Sequence, residues 1–133
     1  MRIAVSSTGR ELNSDIDPRF GRADYFLIVD PETLEFEVVE NKQNLNLSQG
    51  AGIQSGETIV SNNVDVLISG NCGPKAFKVL NKGGVNIVTG AKGRVIDAVL
   101  QYKNGELKPS KDANVENGEL KPSKDANVEG HWV

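Results

Sequence analysis

At 133 residues, with 38% hydrophobic and 25% charged residues, the chain is long enough to form one domain that buries its own core without disulfides. A net charge of −3 and a pI near 5.2 argue against a broad nucleic-acid footprint, which needs clustered Lys and Arg. The single cysteine cannot form an internal disulfide, and the apolar run in "MRIAVSSTGR" is too short for a signal segment or membrane span. A cytoplasmic protein with no membrane or nucleic-acid partner is therefore expected.

"RIAVSS" (Arg2–Ser7) is a short β-rich run, followed by the turn-like "TGRELNSDIDPRFGR". "DYFLIVD" (Asp24–Asp30) is a second run, and "PET" after it is a turn with Pro31 in a favoured place. In "LEFEVVEN" (Leu34–Asn41), Leu34, Phe36 and Val38 alternate with Glu35, Glu37 and Val39, which predicts a half-buried strand closing an antiparallel hairpin. After the polar "KQNLNLSQ" the period changes. In "AGIQSGETIVSNN", Ile53, Ile59 and Val60 can share a helical face, with Gly52 and Gly56 weakening the helix.

"VDVLISG" (Val64–Gly70) reads as a buried strand. "PKAFKVLNKGG" reads as a helix with Ala76, Phe77, Val79 and Leu80 on one side, Pro74 in the first turn and Gly83-Gly84 at the end. "VNIVTG" (Val85–Gly90) is another strand, and "RVIDAVLQYKNG" a helix facing inward through Val95, Ile96, Val99 and Leu100, with Gly105 as its stop. The order β-β-β-α-β-α-β-α predicts a three-layer α/β/α domain, with a parallel second half and one antiparallel strand from the hairpin.

The domain is expected to occupy residues 1–105. Beyond it, "NGELKPSKDANVE" at Asn104–Glu116 recurs letter for letter as Asn117–Glu129. A solenoid unit carries an apolar stripe and drifts between copies. This segment is polar and has not drifted, so residues 106–133 are expected to be loop or disordered, with no chemical role.

Ligands of open α/β sheets collect beyond the carboxyl ends of the parallel strands. Three such ends are small, hydroxylic or glycine-rich here: Ser6-Ser7-Thr8-Gly9, Gly70-Asn71-Cys72-Gly73 and Thr89-Gly90. Cys72, two residues ahead of Pro74, falls at the positive end of a helix, where a thiol is acidified and suits anion binding or metal ligation. An exposed, acidic thiol is the expectation, and the alternative is a small buried side chain in a tight strand-to-helix connection. "DPRFGRADYF" brings Arg19 and Arg22 ahead of a strand, where two guanidinium groups can bracket an anion, although turn chemistry alone favours a Pro/Gly turn with solvated arginines. Motifs for other chemistries are missing. There is no CxxC, no zinc spacing and no P-loop, and "RIAVSS" lacks the carboxylate that a two-metal nuclease needs.

Together "MRIAVSS", "PRFGRADYFLIVD", "VDVLISGNCGPKAFKVLNKGGVNIVTG" and "GRVIDAVL" resemble the dinitrogenase iron-molybdenum cofactor biosynthesis domain, over Met1 to about Gly105. The resemblance implies a ribonuclease-H-like motif with a mixed five-stranded sheet. It also implies a cargo, an iron–sulfur or iron–molybdenum–sulfur cluster or its precursor, received from a donor protein and passed to a recipient. Where the family often carries H-F-G, this chain has Arg19-Phe20-Gly21, which exchanges a metal-ligating imidazole for a guanidinium. The residues expected to hold the cargo are Cys72, Arg19, Phe20, Gly21, Arg22, Asn71, Gly73, Ser7 and Thr8, with Cys72 as the metal ligand.

The expected function is a non-enzymatic carrier or accessory protein for a metal–sulfur cluster. The alternative is a metal-free regulatory module that binds an anion or small molecule through the same amides and arginines. An enzyme with a Cys72 nucleophile ranks last, because the sole histidine, His131, lies far along the tail and no general base is visible.

Overall fold

The computed structural model describes residues 1–116 and 119–120. The elements follow the expected order: β1 (Ile3–Ser7), β2 (Tyr25–Val29), β3 (Phe36–Glu40), α1 (Ala51–Ser61), β4 (Val66–Ile68), α2 (Pro74–Lys82), β5 (Asn86–Val88) and α3 (Val95–Lys103). The short strands β6 (Val115–Glu116) and β7 (Glu119–Leu120) follow.

The sheet order is β3-β2-β1-β4-β5. β1 pairs with β4, and β4 with β5, in parallel, while β2 runs antiparallel to both β1 and β3. One antiparallel strand in a mixed five-stranded sheet is thus the architecture, as expected.

β1 and β2 lie at the centre and are buried on both faces, which explains why they read as nearly continuous apolar runs. Alternate side chains serve two cores. Ala4, Phe26, Ile28, Leu67 and Ile87 face α1 and α2, where they meet Ile59, Phe77 and Leu80. Ile3, Val5, Leu27, Val29, Val66, Ile68 and Val88 face α3, where they meet Val95, Ala98 and Val99. These two cores on opposite faces make the three layers.

Three local expectations are corrected. Leu34 is not part of β3. It has φ 64 in the hairpin turn, where Asp30 Oδ1 accepts from the Glu32 amide at 2.8 Å. β3 is an edge strand, and Phe36 is exposed. In α3 the inward face runs through Ala98, whereas Leu100 is exposed.

Gly52 and Gly56, expected to weaken α1, instead let α2 pack close. A Cβ on Gly52 would lie 3.2 Å from Ala76 Cβ, and one on Gly56 would lie 3.1 Å from Val79 Cγ1. Glycine here gives up helix propensity in exchange for close approach of two helices.

The chain after α3 returns to the body. The Ser110 amide donates to Ile87 O, and Ala113 is buried in the α1/α2 core. Ser110–Asn114 is therefore loop that packs against the body. The β6–β7 pairing spans the junction between the repeats, and most of the second copy lies outside the described residues.

Candidate functional site

β1, β3, β4 and β5 all end at one edge of the sheet, so α1, α2 and α3 all start there. None of the three helices has a side-chain N-cap hydrogen bond. At α3 the loop from Leu12 to Ser14 does the capping: the Val95 amide donates to Ser14 O at 3.0 Å and the Ile96 amide to Leu12 O at 2.8 Å. α1 and α2 are different. Their N-caps are glycines, Gly50 and Gly73, and neither first turn carries an acidic residue. Their first turns touch, since Gly52 sits against Ala76. Two positive helix ends therefore stand side by side.

The loop Asp17–Arg22 lies on this pair. The Asn71 amide donates to Pro18 O at 2.7 Å, and the Phe20 amide to Asn71 O at 3.2 Å. Both of the loop's close contacts need a glycine, one in the loop and one beneath it. A Cβ on Gly70 would lie 2.7 Å from Pro18 Cα, and one on Gly21 would lie 2.8 Å from the Gly52 amide nitrogen. Ser55 and Asn41 fasten the other side of the loop. Asn41 Nδ2 donates to Ala23 O at 2.8 Å, and Ser55 Oγ donates to Asn41 Oδ1 at 2.9 Å.

Within the loop, buried Asp17 organises Arg19. Its Oδ1 accepts from the Arg19 amide at 2.9 Å and from Nε at 3.2 Å, and Oδ2 accepts from Nη2 at 3.3 Å. This pairing raises the pKa of the guanidinium further above its ordinary value. Arg19 still presents 63% of its side chain to solvent, so its outward edge remains able to meet an anion. Arg22 is exposed, and among the described residues it forms no ion pair.

Arg19, Gly21, Arg22, Asn71 and Gly73 thus come together around the two helix ends. Phe20 belongs to the same loop but points into the core, 2% exposed, with its ring centroid 5.4 Å from that of Phe26. Ser7 and Thr8 do not join the group. Ser7 Oγ donates to Gly9 O, and both the Thr8 amide and its hydroxyl donate to Asp15 O, which ties them to the loop that caps α3. Ser6 connects where they do not, donating to Asp17 O at 2.7 Å and hydrogen-bonding Ser69 Oγ at 2.8 Å.

Cys72 departs most from expectation. It is 1% exposed, its Sγ faces Gly73 O at 3.8 Å, and burial pushes the thiol up to about 12. Desolvation of the thiolate outweighs the nearby helix end. The expected exposed, acidic thiol is therefore corrected. Among the described residues, no three His, Cys, Asp or Glu side chains gather in a way that could hold a metal ion.

Sequence reasoning missed Gly50-Ala51-Gly52 as part of this site. The signal was a glycine pair opening a helix. It also missed Asp17 and Asn114. Asn114 sits in the repeat, where nothing local marked it.

The chain is similar to several known proteins. The apo form of the orange protein from Desulfovibrio gigas superposes with a TM-score of 0.80 at 36% identity, covering 85% of this chain and 95% of that one. A protein from Thermotoga, described as a candidate NifB protein of the DUF35 family, superposes with a TM-score of 0.68 at 35% identity, covering 81% and 91%. An uncharacterized protein of Methanocaldococcus jannaschii is 29% identical over 99 residues, 72% of this chain and 83% of its own length. The family profile described as dinitrogenase iron-molybdenum cofactor matches residues 1–105. The chain belongs to the dinitrogenase iron-molybdenum cofactor family.

Proposed function

We propose that this chain is a non-enzymatic carrier or accessory protein whose cargo is an anionic metal–sulfur cluster or a precursor of one. On this reading residues 1–105 form the carrier domain, and the partners are the proteins that supply and receive the cluster. Family membership supports the cargo class. The observation that carries the reading is the contact between the glycine-capped first turns of α1 and α2, with Arg19 and Arg22 on the loop above them. Exposed amides and guanidinium groups favour a compact anion.

The donor set does not fit a cluster ligated by protein side chains. A protein-held iron–sulfur cluster commonly takes four thiolates, and Cys72 is the only thiol in the chain. The residues fit a preformed cluster that brings its own sulfide and is held by charge and hydrogen bonds. The same chemistry supports a second reading, in which a metal-free anion occupies the edge as a regulator.

Anaerobic reconstitution with iron and sulfide separates the two. The carrier reading expects charge-transfer absorption that persists through gel filtration and is lost in Arg19→Ala/Arg22→Ala. A colourless protein that binds inorganic phosphate in calorimetry, with the same dependence on the arginines, favours the regulator.

A further inference from the structure

The duplicated segment was expected to be inert, yet its first copy is seated on the part of the edge that holds Cys72. Asn114 answers both backbone groups of Cys72. Its Oδ1 accepts from the Cys72 amide at 2.7 Å, and its own amide donates to Cys72 O at 3.2 Å. Its Nδ2 donates to Gly70 O at 2.9 Å and to Asn71 Oδ1 at 3.1 Å. Four residues earlier, Ser110 does the same for the end of β5. Its amide donates to Ile87 O, while its Oγ accepts from the Thr89 amide at 3.2 Å and lies 2.8 Å from Thr89 Oγ1. Between them only Ala113 is buried, and Lys111 and Asp112 point to solvent.

We propose that Ser110–Asn114 is a releasable strap that closes the β4–β5 end of the sheet and, while seated, keeps Cys72 and the strand-end amides away from solvent and from any ligand. The strap holds mainly through the polar groups of two short side chains, with one alanine as its buried anchor. Water can replace those hydrogen bonds once the segment lifts, and little apolar surface is exposed in doing so. The strap adds only Ala113 to the α1/α2 core and pairs with no full strand of the sheet, so opening is local rather than global. The strap occupies the donors and acceptors at the ends of β4 and β5, so a ligand that uses them must displace it. This inference goes beyond the carrier reading and stands without it, because it concerns access to the thiol and not what binds there.

The repeat shapes the test. Ser123, Ala126 and Asn127 of the second copy repeat Ser110, Ala113 and Asn114 in sequence, so the two copies are altered together. The informative variant of the full chain is therefore Asn114→Ala/Asn127→Ala. Its Cys72 should react with iodoacetamide at fixed pH roughly tenfold or more faster than wild type, with an unchanged circular dichroism spectrum and a cooperative melt. An unchanged rate in a folded variant overturns the proposal. Should the variant not fold, the alkylation rate of wild type in low urea decides. A shallow urea dependence marks local opening of the strap, and a dependence as steep as global unfolding refutes it.

Discussion

Gly70→Ala tests whether the loop that carries the arginines is held against the end of β4 by close backbone contact. The added methyl would sit 2.7 Å from Pro18 Cα, 3.0 Å from Pro18 Cβ and 3.0 Å from Pro18 O. The nearest obstruction is backbone, so no rotamer change relieves it. Overpacking of this kind costs ~1–3 kcal/mol. If the loop lifts instead, the Asn71–Pro18 and Phe20–Asn71 hydrogen bonds are strained or lost, at ~0.5–1.5 kcal/mol each. The two routes are alternatives rather than additive, so a loss of about 2 kcal/mol is expected, or roughly 8 °C in Tm for a domain of this size.

Gly73→Ala is the control. Nothing lies within 4 Å of its added Cβ, and φ −77 suits alanine. The weaker N-cap and the stiffer unfolded chain offset each other, leaving it within ~0.5 kcal/mol of wild type. Urea unfolding followed by circular dichroism measures both variants. Gly70→Ala as stable as Gly73→Ala, at an unchanged m value, would refute the close-contact argument.

The buried thiol gives a pH prediction. Its pKa is raised from an ordinary 9.0 to about 12, so the folded state favours the neutral form. That contribution is fully present below pH 9 and is lost as pH rises toward 12. Wild type should therefore lose stability relative to Cys72→Ala across that window, by up to ~1.4 kcal/mol per pH unit. Parallel urea stability curves for the two proteins between pH 8 and pH 11 contradict the burial. Asp17→Ala removes the acceptor of three Arg19 hydrogen bonds and should cost ~1–2 kcal/mol. It should also speed hydrogen exchange at the Phe20 and Asn71 amides, whereas unchanged exchange there means that Asp17 does not organise the loop.

Much of the fold was legible because strand and helix periods differ and both were clean. The apolar runs of β1, β2 and β4 and the Pro74-to-Gly83 frame of α2 come from local preference and burial acting together. Edges misled. β3 alternates like a half-buried strand, but it lies outermost and has a partner on one side only. The glycines of α1 read as helix breakers because their value lies in a contact with Val79 and Ala76, a partner that is distant in sequence.

The site divides in the same way. The convergence of Arg19 and Arg22 with Asn71 and Gly73 followed from the rule about carboxyl ends of strands. The state of Cys72 did not. Cys72 is buried, and its amide donates to Asn114 Oδ1, far along the chain in a segment whose composition resembles a linker. Composition reports whether a segment can build a core, and it says nothing about whether a few of its residues satisfy polar groups elsewhere.

The central claim is that the paired helix ends and the arginines hold an anionic metal–sulfur cargo. The most direct test is the metal and acid-labile sulfide content of the protein purified anaerobically from its native host. The carrier reading predicts iron or molybdenum together with inorganic sulfide, co-eluting with the protein and released by high salt. Protein that carries neither metal nor sulfide, and takes up none on anaerobic reconstitution, contradicts it.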